Sequence, residues 1–82
     1  MELKVGFIVK SKAGHDKGDL LVIAGFEDNK VLLCDGRQRP LERPKKKNLK
    51  HIEYFGVQIE KELMASNSKL RQTLNKLANP GG

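Results

Sequence analysis

Apolar and polar residues alternate at the start of the chain: Val5, Phe7 and Val9 fall on one side of residues 5–12, and Ile8 falls on the other. That period of two is the period of a β-strand, and it predicts a first strand that sends Phe7 and Val9 into a core. Residues 13–18, Ala-Gly-His-Asp-Lys-Gly, hold short polar side chains between two glycines, which is turn chemistry. A second β-type run covers residues 20–26, with Phe26 read as core, and a polar turn over residues 27–30 leads into a third strand over residues 30–34. Asp35-Gly36 supplies a further turn. Pro40 and Pro44 forbid helix and favour a short extended piece around residues 39–41, and residues 49–54 form a last strand candidate. Four or five short strands in about 55 residues suit a small barrel, because closure removes edges that a tiny sheet cannot otherwise protect.

After Gly56 the pattern changes. Strand formers thin out, and Ile59, Leu63, Leu70, Leu74 and Leu77 fall at helical spacings, which predicts two helical pieces within residues 57–78. The break lies at Ser66-Asn67-Ser68, any of which is a good N-cap for a helix over about residues 69–78. Two readings of the leucine stripe stay open: a face packed back on the barrel, or one that binds a partner or a second copy. Residues 79–82, Asn-Pro-Gly-Gly, read as a helix stop and a flexible tail. At 82 residues the chain supports one modest core, hence a barrel over residues 1–56 and a helical extension over residues 57–78.

Charge changes the picture more than composition does. The net charge is +6, and residues 37–50 account for it with seven cations (Arg37, Arg39, Arg43, Lys45, Lys46, Lys47 and Lys50) against Glu42 alone. The remainder of the chain is neutral. Such a block on a balanced protein is the footprint of a polyanion-binding face, because each phosphate neutralised releases condensed counterions. With Pro40 and Pro44 it reads as an extended basic arm that spreads its cations along a phosphate backbone. A membrane surface fits poorly, since residues 43–50 interleave their charges with Leu49 alone. The start of the chain has no apolar stretch of signal or spanning length, so a cytoplasmic protein is expected. The single Cys34 lies in an apolar run and reads as a small core residue, with a reactive thiol as the alternative.

The stretch Gly6-Phe7-Ile8-Val9-Lys10-Ser11-Lys12-Ala13-Gly14-His15-Asp16-Lys17-Gly18-Asp19-Leu20-Leu21-Val22-Ile23 is similar to the KOW motif of ribosomal and transcription-elongation proteins, a strand, a Gly/Lys-Gly loop and a second strand. Its wording most resembles the KOW-bearing large-subunit ribosomal proteins of archaea and eukaryotes and their short bacterial relatives. Residues 36–51 resemble the continuation in those short relatives, so the likeness covers residues 5–51 and leaves out the helical extension. The resemblance implies a mainly β fold, a small SH3-like β-barrel followed by the C-terminal helical segment, and an RNA-binding role linked to the ribosome.

The expected RNA contacts are Lys10, Lys12, Gly14, His15, Lys17 and Gly18 at the loop, and Arg37, Arg39, Arg43, Lys45, Lys46, Lys47 and Lys50 in the arm. Glycines let a loop backbone approach a phosphate, and the flanking lysines reach the same group. His15 either touches RNA or is a solvated loop residue. Its neighbour Asp16 does not make it a catalytic base, because adjacent turn residues rarely hydrogen-bond in that way and no nucleophile completes a triad. No metal-ligand spacing or cofactor loop is present in the sequence, so the chain reads as a non-enzyme without metal or cofactor. Four aromatic residues are too few for reading single strands by stacking, which favours structured RNA, ribosomal RNA first, as the partner. A protein-interaction module of the transcription or translation machinery, using the leucine stripe, is the alternative.

Overall fold

In the computed structural model, which describes residues 2–81, five strands form one antiparallel sheet: β1 (Phe7–Ser11), β2 (Leu20–Glu27), β3 (Lys30–Cys34), β4 (Lys45–Asn48) and β5 (Ile52–Gln58). Their order is β4-β3-β2-β1-β5, so the edge strands β4 and β5 are consecutive in the chain. A single 3₁₀ turn, Leu49–His51, joins them. In a flat sheet the two edges would lie about 19 Å apart, four inter-strand spacings of about 4.8 Å. The four Cα steps from Asn48 to Ile52 span at most about 14 Å when fully extended. The sheet must therefore curl. Among the described residues no ladder joins β4 to β5, so the curl stops short of closure, and the closed barrel expected from the sequence is replaced by a curled open sheet.

Both faces of this sheet are apolar, which explains why Ile8 and Val9 are both buried although they point opposite ways. Phe7, Val9, Leu21, Ile23, Val31, Leu33 and Ile52 fill the concave side, where the Tyr54 ring stacks on Phe7 at 4.5 Å between centroids. Ile8, Val22, Cys34 and Ile59 line the other side and meet Leu70 and Leu74 of α1 (Asn67–Ala78). Ser66 caps that helix, its side-chain oxygen accepting from the Lys69 amide at 3.2 Å. The leucine stripe thus packs back on the sheet. Cys34 is a core residue, and burial, helped by the carboxylates of Asp35 and Glu42, pushes its thiol up to about 11. No helix among the described residues is long and apolar enough to cross a membrane.

Four expectations need correction. Residues 35–43 form turns rather than an extended piece, because Oδ1 of Asp35 accepts from the amides of both Arg37 and Arg39 at 2.8 Å and coils the backbone on itself. Leu49–His51 is 3₁₀, and the last strand runs on through Gln58, with a short 3₁₀ turn, Lys61–Met64, as the first helical piece. Phe26 is 48% exposed although it pairs with the core residue Val31, because it stands one step from the end of β2, at the tip of the β2–β3 hairpin. The arm is not a free arm: its second half is β4. Met1 and Gly82, the last residue of the expected tail, lie outside the described residues.

The turn after β3 is fixed to α1 at one close approach. Gly36 has φ +76°, and a Cβ there would overlap the Asn67 carbonyl oxygen and stand 3.1 Å from the Arg71 amide nitrogen. Nearby, Asn67 accepts from the Leu41 amide at 2.8 Å and donates to Glu42 at 2.7 Å. Together these contacts hold residues 36–42 against the first turn of the helix.

Candidate nucleic-acid interface

The β1–β2 loop is closed by its own backbone: the Gly18 amide donates to the Ser11 carbonyl at 2.8 Å, and the Ser11 amide donates to the Asp19 carbonyl at 3.0 Å. Gly14 and Gly18 take positive φ values, +86° and +92°, which the tight turn demands and a side chain resists. Within this frame Asp16 is turned inward. Its Oδ1 accepts from the Ser11 hydroxyl at 2.7 Å and from Nζ of Lys47 at 2.7 Å, and Lys47 also donates to the Ala13 carbonyl at 2.9 Å.

Lys47 belongs to β4, three strands away from β1 in the sheet, so this contact spans the curl. The register explains how. Lys47 is the cross-strand partner of Val31 and Lys45 that of Leu33, so both lysines share the concave face with those core residues, while Lys46 points the other way. The aliphatic stem of Lys47 extends the core, and its ammonium ends on Asp16 with the residue only 7% exposed. Lys45, half-buried, brings Nζ to 3.6 Å from Oδ2 of Asp16, a buried oxygen that takes no hydrogen bond.

Burial alone would raise the Asp16 pKa, but the hydrogen bonds from Lys47 and Ser11 and the charges of Lys47 and Lys45 outweigh it, and the carboxyl is held at about 2. A depressed carboxylate stabilises the fold wherever it is ionised in the unfolded chain as well, above its ordinary value of 3.8, and that contribution is lost as pH falls through about 2. The shift corresponds to about 2 kcal/mol. Unfolding free energies measured between pH 5 and pH 2 should show this loss, and an Asp16→Asn variant should lack the step.

The expected contacts divide accordingly. Lys12, Gly14, His15, Lys17 and Gly18 are exposed at one end of the sheet. The Lys12 amide donates to the His51 carbonyl at 2.8 Å, which brings Lys50, exposed on the 3₁₀ turn, beside the loop. Lys10 is exposed with Glu53 directly across from it on β5. Arg37 and Arg43 are exposed on the turns after β3, and Arg39 is half-buried there. Lys46 pairs with Glu27 at 2.5 Å. Lys47, expected to touch phosphate, instead holds the fold together, because its ammonium is enclosed by Asp16 and the Ala13 carbonyl.

Two residues of consequence escaped the sequence reading. Asp16 is the anchor beneath the loop, and the only sequence sign of it is an acid inside an otherwise basic loop. Arg71 on α1 lines a cleft with Arg37, a pairing that rests on the Gly36 approach and leaves no trace in local pattern. Among the described residues no cluster of His, Cys, Asp or Glu has metal-binding geometry. No protein-family model matches the chain, and no curated protein matches it.

Proposed function

We propose that the chain is a non-catalytic RNA-binding protein of the KOW type, a curled sheet of SH3-like barrel design serving the translation apparatus in the cytoplasm. It holds structured RNA, ribosomal RNA first, by the phosphates. The observation that carries this reading is the inward turn of Asp16. The one acid between Ser11 and Gly18 is neutralised inside the fold, so Lys12, His15 and Lys17 meet solvent with no carboxylate of their own segment among them. Lys50 adds a further cation from the adjoining 3₁₀ turn. The interface is therefore loop plus turn, with Arg37 and Arg43 as flanking cations, rather than loop plus a continuous arm.

Binding of this kind weakens steeply with salt, and the slope of log affinity against log salt counts the phosphates contacted. Replacing Lys12, Lys17 and Lys50 together with glutamine should leave the fold intact and reduce that slope by about 2–3, at roughly 0.7–0.9 per contact. Fluorescence titration of an RNA hairpin at several salt concentrations reads it directly. An affinity indifferent to both salt and the triple substitution contradicts the proposal.

A further inference from the structure

Between the β1–β2 loop, the turn after β3 and α1 lies a cleft of about 220 Å³. Leu20 and Leu74 give it an apolar floor, and Arg37, Arg71, Asp19 and Asp35 stand around it. Two features set it apart from ordinary surface. The ion pairs among the described residues all use Lys45, Lys46 or Lys47, so both arginines stand in the same cleft as two carboxylates without pairing to either. Acceptor capacity is also left over: Oδ1 of Asp35 is occupied by the amides of Arg37 and Arg39, while among the described residues no protein group donates to its Oδ2 or to the Asp19 carboxylate.

A groove built only to follow a phosphate backbone is basic along its length. Here the charges balance, which calls for a ligand that carries both an anion and hydrogen-bond donors. The volume lies below the roughly 300–1,000 Å³ of drug-sized pockets and suits a single base with part of its sugar. Guanine is the base whose pairing edge carries two donors side by side, N1–H and N2–H, a fork that a carboxylate accepts with both oxygens. Adenine and cytosine offer only an amino group there, and uracil only N3–H.

Resting on the RNA-binding reading, we propose that this cleft takes one unpaired guanosine of the bound RNA. Asp19, with both carboxylate oxygens open, accepts from the base edge, Arg71 and Arg37 hold the flanking phosphate, and Leu20 and Leu74 lie against the base. Unpaired bases splayed from a helix are the usual objects of sequence-specific RNA recognition, and guanidinium groups both hold phosphate and stack on bases.

The test uses the intact protein and a set of RNA hairpins identical except for one bulged nucleotide: G, A, C, U or none. The bulged-G hairpin should bind about tenfold tighter than the others. Arg71→Gln, at an exposed helix position, should remove that preference while leaving affinity for the unbulged hairpin within about twofold, and circular dichroism checks that the helix persists. Guanosine monophosphate alone should bind at least about 100-fold more weakly than the bulged-G hairpin, since it lacks the phosphates held by the loop. Equal affinity for all bulges, or a G preference untouched by Arg71→Gln, overturns the cleft assignment while the RNA-binding reading stands. Guanosine monophosphate binding as tightly as the hairpin overturns RNA as the source of the nucleotide. Failure of every hairpin to bind overturns both readings together.

Discussion

Lys47→Met is expected to destabilise the protein by about 3–5 kcal/mol, whereas Lys46→Met, one position away in the same lysine triplet, should cost about 1 kcal/mol or less. The difference follows from strand alternation. Lys46 pairs with Glu27 in solvent, while Lys47 turns onto the concave face and is the main partner of the buried Asp16. Removing the ammonium strands a carboxylate that already has one oxygen without a hydrogen bond, and Lys45 at 3.6 Å only partly compensates. An Asp16→Asn/Lys47→Met double variant should recover much of the loss, because no uncompensated charge remains. Denaturant midpoints of the four proteins decide the matter. Equal small losses at Lys46 and Lys47 would return the triplet to the status of a solvated arm.

Gly36→Ala is expected to cost about 3 kcal/mol or more. The positive φ strains any side chain by about 1–3 kcal/mol. In addition the new methyl overlaps the Asn67 carbonyl, a backbone atom of the first helical turn that has no rotamer by which to yield. Relief requires the turn to part from α1, which also breaks the Asn67 bonds to Leu41 and Glu42. Thermal unfolding should show the loss. Gly18→Ala serves as a control, since it has a similar φ of +92° but open space around its Cβ, and it should cost only the strain.

These two residues also mark where sequence pattern stops being informative. β1, β2, β3 and the capped helix announce themselves through period-two alternation, turn residues and leucine spacing, and the described structure has them close to their expected bounds. β4 has no apolar residue, since its sequence is Lys-Lys-Lys-Asn, and a hydrophobic period has nothing to register there. What makes it a strand is the exposed edge of β3 together with an acid that the fold brings from 31 residues away. Phe26 is a different case: it stands beside Val31 on the core face, but at the hairpin tip the cover runs out, and an apolar pattern does not record where cover ends. At the site, the loop residues Lys12, His15 and Lys17 were legible as a turn, and they are exposed. The arm was legible only as charge, and its side chains leave β4 in alternating directions, which divides one block of cations into a buried anchor, a surface ion pair and a few exposed groups. The triplet is therefore a poor target for a binding test, because neutralising it mixes lost folding with lost affinity.

In the proposed function RNA meets the exposed cations of the β1–β2 loop and the 3₁₀ turn, with Lys47 held inside. Titrating isotopically labelled protein with a structured RNA hairpin at low salt, and following backbone amide resonances, tests it most directly. Salt-reversible shifts should concentrate at Lys12, Gly14, His15, Lys17, Gly18 and Lys50, with Lys46 little affected. Shifts confined to the tip of the β2–β3 hairpin, around Phe26 and Asn29, with the β1–β2 loop unmoved, or none at saturating RNA, would contradict it.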